Sequence, residues 1–241
     1  MKYFSLLWGF CLVLNIAESK VGDSVYAVLL QKYVQADGVS YQAWADNAKD
    51  VKALDLVLSN WSQVNVAQLA PEEQKAFYIN LYNAAMLQAV LQRYPIDSVK
   101  DIGLIPFSIF RKNYIKQGDR NLSLDDIEKG ILLQQFPDPR IHFAVNCASV
   151  SCPPLRQEPY RAELLNAQLE EQARLFAASD RAARVDSRKQ RTAYSELFNW
   201  YASDFGVDNP ALFLNRYRSD ALPPQYEVTW IDYDWSLNSA E

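Results

Sequence analysis

The chain has 241 residues, enough for one sizeable domain or two small ones. Apolar residues make up 49%, charged residues 22% and aromatics 13%, which excludes a disordered or collagen-like chain. A net charge of −5, a single histidine and three cysteines argue against a nucleic-acid surface and rule out both a multi-histidine metal site and a disulfide-rich scaffold.

The first segment, MKYFSLLWGFCLVLNIAES, carries Lys2, an apolar run from Phe4 to Ile16, and then Ala17-Glu18-Ser19. Small residues at −3 and −1 fit a cleavage site after Ser19, so residues 1–19 read as a secretory signal peptide. The run of about 13 residues is short for a bilayer span, which needs roughly 20. Cys11 lies inside the run, which excludes a lipoprotein anchor. Residues 20–241 are then expected to be exported, periplasmic or extracellular, with Cys147 and Cys152 in an oxidising compartment. No later segment is apolar enough to span a membrane, so none is expected after cleavage.

Residues 24–35 place Val25, Val28, Leu29 and Tyr33 at helical spacing behind Ser24, and Asp37-Gly38 marks a turn. A helix around Ala48 to Ser59 follows, striped by Val51, Leu54 and Leu58. Pro71-Glu72-Glu73 opens a stronger helix, which stops at Tyr94 before Pro95. From Ala76 to Leu91 it is apolar almost all round, the pattern of a central helix buried on every side. Asn80 and Asn83 share one of its faces. Ser123 caps a short helix, Leu124 to Gln135, that carries Glu128. Arg140 to Asn146 reads as a buried strand. Helices are expected over Leu164 to Ala178 and Ser195 to Phe205. The alternating aromatic tail, Tyr226 to Leu237, reads as a closing strand. With no repeat and no linker, residues 20–241 are expected to form a single α+β domain.

The densest run of reactive residues is RIHFAVNCASVSCPPLR, from Arg140 to Arg156. A thiolate nucleophile needs a base or cation to lower its pKa, and histidine is the usual partner. On an extended strand, residues five apart face opposite sides, with Cα atoms roughly 16 Å apart at about 3.3 Å per residue. His142 and Cys147 are therefore not expected to touch, whereas His142 and Asn146 share a face. Cys152 reaches His142 only if Ala148 to Ser151 turn. Cys152 is thus the nucleophile candidate, against two alternatives: a Cys147–Cys152 disulfide or a buried structural thiol. His142 is either a proton carrier or a satisfied core histidine. Asn80 and Asn83 either fix packing or rim a substrate site, and Glu128 is either a surface acid or a charge partner for His142 or Arg140. Trp200, Tyr201, Trp230, Tyr233 and Trp235 read as core more than as a ligand platform.

Five separated phrases carry a family resemblance: AFYINLYNAAML (76–87), LSLDDIEKGIL (122–132), RIHFAVNCASVSCPPL (140–155), LFNWYASDF (197–205) and YDWSLN (233–238), with DGVSYQAW (37–44) before them. Together they resemble the bacterial and plant "domain of unknown function 547" family, over about residues 37 to 238. That family is in turn similar to papain-like and transglutaminase-like cysteine hydrolases. The resemblance implies a buried central helix packed on a mostly antiparallel sheet, with a histidine supplied by a strand, as His142 would be. The papain-like nucleophile opens the central helix, and here that helix holds no cysteine. Many members also place histidine after the acid in the IE-H-G-IL segment, where this chain has Lys129.

Two functions follow from these readings. The first is an exported thiol-dependent hydrolase acting on a peptide, amide or thioester. Cys152, His142 and Glu128 would be its catalytic groups, with Asn80, Asn83, Asn146 and Arg140 binding substrate. The second is a non-catalytic module on a degenerate hydrolase fold that binds a small peptide or a thiol-type ligand. Neither implies a metal or cofactor, and neither implies nucleic acid.

Overall fold

The computed structural model describes residues 23–240. The leader expected over residues 1–19 lies outside the described residues. Helix α1 covers residues 23–33, followed by α2 (Tyr41–Ala45) and α3 (Ala48–Trp61). The Asp37-Gly38 turn between α1 and α2 is close-packed, because a Cβ on Gly38 would collide with the Asn238 carbonyl. Asn47 caps α3 by accepting from the Asp50 N–H at 3.2 Å.

Helix α4 (Pro71–Leu91) is the central helix. Pro71 sits at its first turn, and Glu73 accepts from the Ala70 N–H at 2.8 Å. From Ala76 to Leu91 every residue except Gln88 is buried, as its all-round apolarity predicts. Its closest neighbours are α3, α2 and the segments around Glu128 and Leu164. The chain is mixed helix and strand with two small sheets, and most of the packing of α4 is against helices and turns.

A short helix α5 (Ser108–Arg111) and a hairpin of β1 (Ile115–Gln117) and β2 (Arg120–Leu122) come next. Gly118 turns the hairpin at φ 58°. The helix expected from Leu124 forms as a π-helical stretch, Asp126–Leu132, running into α6 (Leu133–Gln135). Ser123 and Asp126 cap it reciprocally, Ser123 Oγ accepting from Asp126 N and Asp126 accepting from Ser123 N. Helix α7 (Leu165–Ala177) follows a 3₁₀ turn, Ala162–Leu164. In the second sheet, β3 (Ala183–Asp186) is antiparallel to β4 (Arg191–Ser195), and β4 is parallel to β5 (Glu227–Ile231). The helix expected over Ser195 to Phe205 is two short ones, α8 (Leu197–Trp200) and α9 (Ala202–Phe205), and α10 (Pro210–Leu214) precedes the tail.

The strand expected over Arg140 to Asn146 is a 3₁₀ helix, Pro139–Phe143, followed by a turn. The local chemistry explains the difference. Asp138 accepts from Arg140 N at 3.0 Å, and Pro139 at the first position presets a helical φ. A short apolar run does not by itself distinguish a strand from a buried helical turn. The face argument built on strand alternation therefore does not apply to His142, Asn146 and Cys147.

The buried side chains form two clusters. One surrounds α1 to α4 and the π-helical stretch. The other joins Phe143, Phe176, Tyr194, Phe198, Phe205 and Phe213 around the three-stranded sheet. Ile141 and Ala144 belong to the first cluster and Phe143 to the second, so the His142 segment lies on the seam between them. Among the described residues no helix is long and apolar enough to cross a membrane.

Candidate functional site

A pocket of about 700 Å³ opens at this seam. Tyr82 of α4 and Glu128 of the π-helical stretch line it, as do Asp125 and Lys129. His142, Val145, Cys147, Cys152 and Pro153 form another wall. Phe107, Phe110 and Arg111 enter from the α5 side, Leu197, Trp200 and Tyr201 from α8 and its end, and Tyr233 and Trp235 from the tail.

His142 is 2% exposed. Its Nε2 lies 2.9 Å from Asp204 Oδ2, and its ring sits 4.2 Å from Tyr201 and 5.3 Å from Phe205, centroid to centroid. Burial pushes its pKa below the ordinary value, while Asp204 and Glu128 pull the other way. The imidazole is thus neutral at pH 7. The carboxylate at Nε2 assigns the proton to that nitrogen and leaves the Nδ1 lone pair as the base.

Glu128 is also buried, and its Oε1 accepts from the Tyr201 hydroxyl at 2.9 Å. Burial and the Glu128 charge hold Tyr82 and Tyr201 firmly protonated. Lys129 does not reach into this pair, because it is bonded to Asp125 at 2.9 Å.

Cys147 and Cys152 are joined as a disulfide, with Cα atoms 6.2 Å apart. The turn that closes it places Ala148 at φ 59°, held by its N–H donating to Asn146 Oδ1 at 2.9 Å. Tyr233 Oη lies 3.3 Å from Cys147 Sγ and 3.5 Å from Cys152 Sγ. Burial pushes the Tyr233 phenol up to about 12, so it stays protonated. Arg181 donates to the Cys152 carbonyl at 3.1 Å.

The structure brings Cys152, His142 and Glu128 to one pocket, although no hydrogen bond joins Cys152 to His142 among the described residues. Asn80, Asn83, Asn146 and Arg140 do not line it. Asn80 donates to the Tyr160 carbonyl at 2.8 Å and accepts from Tyr160 N at 2.9 Å. Asn83 does the same with Ala144 O at 2.9 Å and Asn146 N at 2.8 Å. Asn146 donates to Pro153 O at 2.7 Å. Arg140 is bidentate on Asp138 and also reaches Asn166. Four rings expected in the core, Trp200, Tyr201, Tyr233 and Trp235, are pocket walls instead, and Trp200 is 47% exposed. Trp230 is also partly exposed and lines a smaller recess beside α9.

Asp204 was not among the residues singled out by sequence. Its signal is the SDF end of LFNWYASDF, where an acid closes an aromatic run. Phe107 and Phe110, at the start of and within the short α5, lie in a stretch without a periodic pattern and give no such signal. Among the described residues no group of three or more His, Cys, Asp or Glu side chains is placed to hold a metal ion.

Residues 66–177 match the family described as "Protein of unknown function, DUF547". The matched span holds α4, Glu128, His142 and both cysteines, and ends before Asp204, Tyr201 and Tyr233. No curated protein and no solved structure matches the chain.

Proposed function

Residues 66–177 belong to the DUF547 family, and on that premise we propose that the chain is an exported, redox-gated thiol hydrolase of amides or thioesters, silent while Cys147 and Cys152 are bonded. The observation that carries this reading is that buried His142, bonded at Nε2 by Asp204 from the solvent side, lines the same pocket as Cys152. A dithiol reductant supplies two electrons and two protons to the disulfide and is itself oxidised to a disulfide. Cys152 then carries a thiol, and His142 Nδ1 takes its proton while Asp204 holds the ring. The thiolate attacks the substrate carbonyl, and the imidazolium returns the proton to the departing amine or thiol. Water, deprotonated by His142, releases the acid and restores Cys152.

Relationship to a papain-like core is part of this reading. A central helix buried almost throughout Ala76 to Leu91 and a histidine beside it support the relationship. The nucleophile would sit on the turn after the histidine rather than at the start of the helix. Export is supported by the disulfide itself, a bond that oxidising compartments permit.

A second reading, a binding module with a permanent disulfide, is favoured by the same bond and by there being no Cys152–His142 hydrogen bond among the described residues. Alkylation in denaturant, followed by mass measurement, separates the starting states, and two adducts are expected only after reduction. The reduced protein is then offered a panel of acyl amides and thioesters. Turnover that disappears in Cys152→Ser and in His142→Ala supports the hydrolase. A reduced protein that binds members of the panel and turns none over is the binding module.

A further inference from the structure

Glu128 is left without a task by the mechanism above. Its side chain belongs to a residue only 8% exposed, its bonded partners at the pocket are the Tyr201 and Tyr82 hydroxyls, and no lysine or arginine pairs with it among the described residues. Lys129, its sequence neighbour, is committed to Asp125. His142, held neutral, does not balance it. A buried carboxylate without a cation is costly, and two neutral phenols recover only part of that cost.

The walls facing this acid are aromatic and continuous. Ring centroids of Tyr233 and Trp235 are 4.5 Å apart, those of Trp200 and Tyr233 4.9 Å, and those of Phe107 and Trp235 4.6 Å. Aromatic faces attract a cation and pack along an alkyl chain equally well. The buried acid and the ring wall thus favour the same guest, a positive charge on an apolar stem. On the α5 side, Arg111 is exposed and makes no ion pair among the described residues. It disfavours a bare small cation and suits a ligand whose far end offers a carbonyl or carboxylate.

We propose that the pocket binds an alkylammonium ligand of the lysine type, with the ammonium at Glu128, the stem along Trp200, Tyr233 and Trp235, and the acyl end towards Arg111. The proposal rests on the pocket being a ligand site, and not on its being hydrolytic. The chemistry is shared by a peptide lysine side chain and by a free alkylamine.

Tryptophan fluorescence of the isolated, disulfide-bonded protein reads the test, because Trp200 and Trp235 line the pocket. The probes are N-acetyl-lysine methylamide, n-butylammonium and the uncharged N-acetyl-norleucine methylamide. The lysine probe is expected to bind at least about tenfold more tightly than its norleucine isostere, and Glu128→Gln is expected to abolish that preference. Butylammonium matching the lysine probe assigns the site to free amines, and weaker butylammonium assigns it to peptides. Equal binding of lysine and norleucine overturns the proposal, as does a preference that survives Glu128→Gln, or no binding of either cation. If Glu128→Gln does not fold, the lysine-to-norleucine ratio on the unaltered protein decides alone. Turnover of norleucine and lysine substrates at equal rates by the reduced protein keeps the hydrolase and discards the cation site. A lysine preference without turnover does the reverse.

Discussion

The asparagine face of α4 and the pocket wall both bury polar side chains, and they spend them in opposite ways. Asn80 and Asn83 each give one donor and one acceptor to backbone groups of a neighbouring loop. Their hydrogen-bonding capacity goes into holding Tyr160, Ala144 and Asn146 in place, which is structural work. Glu128 and His142 bond instead to other side chains, two phenols and a carboxylate, and in the proposed function they are the groups that meet a guest. The kind of partner, more than burial, separates a polar residue that fixes the fold from one that serves a ligand.

Asn83→Ala should sharpen this contrast most. It leaves the Ala144 carbonyl and the Asn146 N–H buried and unpaired, so unfolding free energy is expected to drop by about 3 kcal/mol in denaturant titration. A loss no larger than that of an exposed-surface variant would break the comparison. Replacing both cysteines by serine comes next. The two are only 5 positions apart, so closing that short loop is worth about 2 kcal/mol, measured the same way.

A smaller effect belongs to His142. Burial holds its pKa below the ordinary 6.5, so the unfolded chain takes up the proton first as pH falls. The stability contributed by the neutral ring is complete above 6.5 and is lost as pH falls from there through the folded-state pKa. The slope is no steeper than about 1.4 kcal/mol per pH unit, the limit for one proton. His142→Gln should remove this component from unfolding curves recorded across that range. Asp204→Asn, which deletes an upward pull, should move the imidazole titration seen by NMR to lower pH. Least affected is Lys129→Ala, since Lys129 is exposed and its Asp125 partner only half-buried. Its expected cost is about 0.5 kcal/mol or less.

Much of the fold was legible because periodicity reports burial directly. The all-round apolarity of Ala76 to Leu91 located α4, and the proline and acids at its start located its first turn. The His142 segment misled because Ile141, Phe143, Ala144 and Val145 make too short an apolar stretch to carry a period, and the stronger signal was Asp138-Pro139 just ahead of them. The site was half legible. The reactive types, Cys152, His142 and Glu128, stand out by chemistry alone. Asp204 and the ring wall do not, because Asp204 reaches His142 from α9 and the rings reach the pocket from α8 and the tail, and long-range placement leaves no local pattern. The asparagines were conspicuous for the same reason that they proved structural: a polar residue inside an apolar helix stands out whatever it bonds.

The tail that carries Tyr233 and Trp235 also ties together distant parts of the chain. Leu237 N donates to the Asp97 carbonyl, Asn238 N to Ala148 O, and Val39 N to Asn238 O. The bond from Tyr41 to Asn238 spans 197 positions. A nascent chain can therefore wind α1 to α4 early, yet it has no pocket until residues 233–238 leave the ribosome. On the proposed function, ligand recognition would wait for the tail, long after α4 has been made. Ribosomal products cut short before residue 233 would keep helical content and be unable to bind, so in a pool of nascent chains retention on a ligand column would sort finished molecules from interrupted ones.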